Sequence, residues 1–269
     1  MRHLTCLLAV LAVTPLAAQN RAETEWILRD ARGGFCIWYL ADPEMVRDLL
    51  PKDVSTQAAS AVGSALPPAL ARVVQDEPRF ASWVPGAICV GMYASASVDG
   101  KEVVAAKDGD RVTVITHSVA AVDPRGIRGA GHYLIELGTD RGGLARAGEV
   151  AGIRTHDRSV DIKKVPDSDD DEIELKLDKA KIIWQGHPTG IARVDSTRSM
   201  SFGYAGLRLS SWEIQVEAAP MEVQGVIGAL RIEGKDDLSR VLRASPIRFM
   251  GPIERGGVAT FRFKPGGRR

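Results

Sequence analysis

The sequence predicts a mainly β domain, β-rich α+β in class, with a few short helices. Apolar residues recur at every second position in Glu172-Ile173-Glu174-Leu175-Lys176-Leu177-Asp178, Trp212-Glu213-Ile214-Gln215-Val216-Glu217 and Ala259-Thr260-Phe261-Arg262-Phe263. Such alternation turns one face to a core and the other to water. Turn-forming pairs punctuate the chain: Asp99-Gly100, Asp108-Gly109, Gly142-Gly143, Glu233-Gly234 and Gly256-Gly257.

The first strand is expected over residues 34–40. Asp42-Pro43-Glu44 then supplies an N-cap, a proline in the first turn and an acid at the positive end of a helix. Val46, Leu49 and Leu50 form its apolar face, and Pro51 stops it. A second short helix is expected over Ala69–Gln75 and a third over Asp237–Leu242. Further strands are expected over residues 86–97, 111–122, 131–137, 181–186 and 221–232. The acidic run Asp167-Ser168-Asp169-Asp170-Asp171-Glu172 lacks the spacing and glycine of an EF-hand loop and reads as a solvated hairpin tip.

Residues 1–18 have a positive start, an apolar run over Leu4–Val13 and small residues before Gln19, the pattern of a cleaved secretory signal. The apolar run is shorter than the ~20 residues of an ordinary membrane span. A secreted or periplasmic protein with no stable span after cleavage is therefore expected. Without residues 1–18, 34 bases balance 34 acids over 251 residues, enough for one large domain. A neutral surface does not suit a phosphate polyanion, so no nucleic-acid partner is expected. Cys36 and Cys89 each sit in an apolar run, and export permits a bridge between them. Spacing alone does not decide whether they pair.

Arg32-Gly33-Gly34-Phe35-Cys36-Ile37-Trp38-Tyr39-Leu40-Ala41-Asp42-Pro43-Glu44, running on to Leu49-Leu50-Pro51, resembles the opening of the acetoacetate decarboxylase family. Gly131-His132-Tyr133-Leu134 with Gly148-Glu149-Val150-Ala151-Gly152-Ile153 is similar to its central strand and Gly-(Arg)-Glu segment. Ala244-Ser245-Pro246, Gly251-Pro252-Ile253-Glu254 and the strand from Val258 to Phe263 look like its closing stretch. Residues 53–80 look like an insertion. The resemblance implies a closed, cone-shaped antiparallel β-barrel over residues 19–269, with a buried pocket for a small organic acid or carbonyl compound. Members of that family often assemble, so a homo-oligomer is a further expectation of the resemblance.

At the reactive centre this chain departs from that family. Arg154-Thr155-His156 replaces a proline followed by two lysines, so Thr155 stands where a Schiff-base lysine is expected. A hydroxyl cannot form an iminium. Lys163-Lys164 falls in the next strand, where adjacent residues face opposite ways. The resemblance also places Arg32 at a substrate carboxylate, and His117, within Thr116-His117-Ser118, where a glutamate is expected. His117 and Glu149, with His156, would handle protons in a lyase or hydrolytic step, and Thr155 would position substrate or water.

Each of these residues also has a structural reading. Arg32 suits an exposed turn, His117 a hydrogen-bonded interior histidine, His156 a solvated loop and Glu149 a structural acceptor. Two functions follow: an enzyme without a Schiff base, and a non-catalytic ligand-binding protein of the cell envelope. A catalyst needs polar groups converging on a reacting atom, whereas a binder can use an apolar cavity with few anchors. No H-x-H, H-E-x-x-H, G-x-S-x-G, phosphate-loop or dinucleotide motif occurs, so no metal or cofactor is expected. A metal site from His117, His156 and Glu149 would require those residues to converge in space.

Overall fold

The architecture is organised by one long first strand. In the computed structural model, the described residues are 23–104, 111–122, 130–150, 152–153, 155–195, 199–205, 210–217 and 221–264. The expected signal segment, residues 1–18, lies outside them. Strand β1 (Thr24–Ala41) runs antiparallel to β2 (Val84–Val98) along nearly its whole length, from Trp26↔Val98 to Ala41↔Val84. The hairpin strand β3 (Lys101–Val104) follows β2. The next strands are β4 (Val112–Val122) and β5 (Ala130–Thr139). Helix α1 (Pro43–Arg47) lies between β1 and β2, with the Asp42 carboxylate accepting from the Glu44 amide at 2.8 Å.

The expected insertion forms helices α2 (Ala59–Val62) and α3 (Pro68–Asp76), with 3-10 turns at Gly63–Ala65 and Pro78–Ser82. Leu66, Leu70 and Phe80 from this segment bury themselves with Leu40, against partly buried Trp38, Ile247 and Phe249. This segment thus packs a small core of its own against one end of β1.

Helix α4 (Gly142–Val150) and strands β6 (Thr155–Asp157), β7 (Ser159–Lys164), β8 (Asp171–Leu177) and β9 (Ala180–Asp195) come next. β10 (Ser199–Ala205), β11 (Ser210–Glu217) and β12 (Met221–Gly234) follow, then α5 (Asp237–Ala244). The chain continues through β13 (Ile247–Met250), β14 (Ile253–Arg255) and β15 (Val258–Lys264). The acidic run Asp167–Glu172 begins in the turn between β7 and β8 and runs into β8, as a hairpin tip should.

Seven strands close a ring. β1 pairs with β2, β2 with β4, β4 with β5, β5 with β10, β10 with β11, β11 with β15, and β15 returns to β1. Only the β5–β10 contact within this ring is parallel. A closed ring leaves no unpaired edge. From β1 the sheet also continues through β14, β12, β9 and β8 to β7, forming a second curved layer. The fold is therefore the expected mainly β, nearly closed barrel with few helices.

Alternation along the shared strands feeds two interiors. Phe35, Ile37, Ile88, Val90, Ile115 and Val119 pack with Ile173, Leu175, Ile182 and Trp184 of the second layer. Trp26, Leu28, Val112, Leu134, Trp212, Phe261 and Phe263 form a separate core, joined by Leu144 of α4. Both faces of the middle of the shared wall are therefore covered. Among the described residues, no helix is long and apolar enough to cross a membrane.

Candidate ligand cavity

Cross-strand register sorts the shared wall into rows. Trp38, Ala87 and Ser118 form one row, and Cys36, Cys89 and Thr116 another. Gly34, Gly91 and Val114 form a third. All nine residues line a cavity of about 310 Å³. His132 of β5, Trp212 of β11, Ala259 and Phe261 of β15 and Glu254 of β14 complete much of its wall. Six of the seven ring strands contribute, so the cavity lies within the ring. Its volume sits near the lower end of small-molecule pockets, about 300–1,000 Å³.

Cys36 and Cys89 are bridged, with Cα atoms 4.0 Å apart on directly opposed positions. Both are half-buried, whereas Ile37 and Ile88 on the other face are 2% and 0% exposed. The disulfide is thus part of the cavity wall.

Among the described residues, the polar lining is sparse: Thr116, Ser118, Tyr93, His132 and Glu254. Burial and the Glu254 charge raise the Tyr93 pKa, so its phenol stays a hydrogen-bond donor. Burial lowers the His132 pKa, which favours a neutral imidazole. Its Nδ1 is buried without a hydrogen-bond partner. At Gly203, which pairs with His132 across β5–β10, a β-carbon would overlap the His132 carbonyl. Glycine is needed there for the strands to approach.

The opposite face of the same wall holds a second polar group. The Tyr39 hydroxyl and His117 Nε2 lie 2.7 Å apart, and Tyr39 fits over Gly86, where a β-carbon would overlap its ring. His117 is 1% exposed, and burial drives its pKa down to about 3. Glu136, opposite His117 on β5, is ion-paired with Arg158.

No protein-family model matches the sequence, and no curated protein matches it. Among solved structures, an acetoacetate decarboxylase-like enzyme from Sphingomonas wittichii RW1 aligns over 97% of this chain and 99% of its own, with 12% identity and a TM-score of 0.49. The enduracididine biosynthesis enzyme MppR in complex with pyruvate aligns over 97% and 96%, with 11% identity and a TM-score of 0.47. Acetoacetate decarboxylase from Legionella pneumophila aligns over 90% and 86%, with 12% identity and a TM-score of 0.45. The chain is similar in fold to acetoacetate decarboxylase-like proteins. A likeness this distant assigns no residue a role, so each expected residue is placed by its own surroundings.

None of the five expected site residues is among those lining the cavity. Arg32 is exposed at the β-bulge between Ala31 and Gly33. His117 projects from the cavity wall to its other side, as its neighbours Thr116 and Ser118 project inward. Glu149 is exposed on α4. Thr155 is 8% exposed, packed against Gly148, and its hydroxyl donates to the Ile153 carbonyl at 3.2 Å. His156 is half-buried on β6, paired in register with Gly138. Of the five, Thr155 and His156 are adjacent on β6, and Thr155 packs against Gly148, the residue before Glu149 on α4. Arg154 lies outside the described residues. Lys163 and Lys164 are exposed on β7. Among the described residues, no three His, Cys, Asp or Glu side chains come together as a metal site.

His132, Thr116 and Ser118 lie inside the segments that resemble the family, but the resemblance gives them no role. Alternation alone separates Thr116 and Ser118 from His117, yet it does not say which face bounds an open space.

Proposed function

We propose that this chain is an exported small-ligand-binding protein that holds a neutral, mainly apolar carbonyl compound in the ring cavity, without Schiff-base chemistry. One observation carries this reading: aromatic and aliphatic walls surround a few hydroxyl donors, and among the described residues no lysine or arginine lines the space. An iminium needs an amine at the carbonyl carbon, and a carboxylate ligand needs a compensating cation. Thr116, Ser118 and Tyr93 instead offer O–H groups to a carbonyl oxygen, while Trp38, Trp212 and Phe261 cover an apolar body.

Export is supported by the signal-like residues 1–18 and by the Cys36–Cys89 bridge, which suits an oxidising compartment. In this reading His117 and Thr155 hold the scaffold, while Arg32 and Glu149 belong to its surface.

The test is titration of tryptophan fluorescence with methyl ketones of increasing chain length and with the matching β-keto acids. Saturable ketone binding that Ser118→Phe abolishes is expected. Turnover of a β-keto acid with carbon dioxide release, or borohydride trapping of an adduct on a lysine, would overturn the proposal.

A further inference from the structure

Among the cavity-lining groups that the proposed ligand binding does not use is a disulfide. The Cys36–Cys89 disulfide is in the wall between the Trp38–Ala87–Ser118 and Gly34–Gly91–Val114 rows. Its opposite side is sealed by Ile37 and Ile88, at 2% and 0% exposure. The two half-buried cysteines therefore meet their surroundings from the cavity. A disulfide used only as a staple needs no such opening, because its chain constraint is independent of which side is solvated.

We propose that the Cys36–Cys89 disulfide is a thiol-exchange site, opened from within the cavity by small thiols with an apolar body. An incoming thiolate attacks one cysteine sulfur, and the Cys36–Cys89 S–S bond breaks as the mixed disulfide forms. The displaced cysteine leaves as thiolate and takes a proton from solvent. A second thiol attacking the mixed disulfide releases the small-molecule disulfide and leaves both cysteines reduced. Two small thiols are thereby oxidised while the protein gains two electrons, so the small thiol itself is the reductant. Attack requires access to a cysteine sulfur, and the disulfide shares its cavity wall with Trp38, Val114 and Phe261. Selectivity follows from those walls: an aromatic thiol exchanges hydration for aromatic contact, whereas a charged peptide thiol meets no lining lysine or arginine among the described residues.

The experiment compares benzyl mercaptan with glutathione on the folded protein at neutral pH, with an alkylating quench and intact-mass readout. One thiol adduct plus one alkyl group marks the mixed disulfide, and two alkyl groups mark full reduction. Rates on the urea-unfolded chain correct for the intrinsic reactivity of each thiol. Benzyl mercaptan should exceed glutathione by at least about tenfold after correction, the equivalent of burying one small apolar group. Ala87→Leu, or Ser118→Leu where the first does not fold, should suppress the folded-state rate and leave the unfolded-state rate unchanged. A folded disulfide untouched by both thiols, while the unfolded chain opens, would overturn the proposal. So would equal rates in the wild type and a folded cavity-filling variant, which place the attack outside the cavity.

Discussion

The Tyr39 hydroxyl is 2.7 Å from His117 Nε2, deep between the ring and its second layer, on the face of the wall opposite the cavity. The pair needs Gly86, whose missing β-carbon leaves room for the Tyr39 ring. Removing the hydroxyl in Tyr39→Phe leaves a buried imidazole nitrogen unsatisfied. That variant should lose about 1–3 kcal/mol in urea unfolding, with ligand binding in the cavity retained.

The same burial makes acid a specific stress. Above about pH 6.5 neither the folded nor the unfolded chain protonates His117 appreciably. As pH falls below that value the unfolded chain gains a proton, while the folded form resists until pH about 3. Native stability should therefore fall with acid across this window, by up to about 1.4 kcal/mol per pH unit for this one group. Burial shifts His132 the same way and adds to the slope. His117→Gln should flatten the dependence of unfolding free energy on pH; an unchanged slope would mean that His117 is not held neutral.

Restoring a lysine at the position suggested by family resemblance should not restore its chemistry. Thr155 packs against Gly148 beside Trp26 and is not in the cavity wall. Thr155→Lys is expected to cost about 1–3 kcal/mol by overpacking. Borohydride in the presence of acetoacetate should trap no adduct at residue 155, as read by peptide mass mapping.

Glu136 and Arg158 form an ion pair with side chains 12% and 10% exposed. Removing one partner strands a charge, and Arg158→Met should lose about 3–5 kcal/mol. Glu136→Gln combined with Arg158→Met should recover much of that loss. A double-mutant cycle in chemical denaturation measures the coupling.

The disulfide closes a loop between residues 53 positions apart in sequence. Chain-entropy reasoning puts its loss at up to about 4 kcal/mol in a Cys36→Ala/Cys89→Ala variant. Urea midpoints of the oxidised protein and this variant give the comparison.

Local chemistry made much of the scaffold legible. Asp42 and Pro43 announce α1, and the Asp42 cap forms as expected. Ile173, Leu175 and Leu177 alternate in sequence and are 5%, 1% and 1% exposed. Gly142-Gly143 reads locally as a turn, yet both residues open α4, where Leu144 is fully buried in the barrel core. Tertiary packing overrides the weak helix preference of glycine there.

The cavity was harder to see for a different reason. On β4 both faces are covered, with Val114 at 2% and Ile115 at 0% exposure, so alternation does not distinguish a void from a packed core. His117, Thr116 and Ser118 are adjacent in sequence but belong to different interiors. The Cys36–Cys89 pairing depends on the β1–β2 register, which no spacing rule supplies. His132 shares this limit: its neighbours across the ring come from β4 and β10, distant in the chain.

Ring closure also dictates an order of events during synthesis. Trp26 packs tilted against Phe261 and edge-on against Phe263, with ring centroids 6.1 and 4.9 Å away, and β15 is the seam between β1 and β11. A ribosome must release that last strand before the ring can shut, because no earlier segment occupies its place. Until then Trp26 and its neighbours remain without their aromatic partners, and a ligand has no enclosure to enter. Holding the emerging chain unpaired, as transport across a membrane demands, is therefore compatible with this topology.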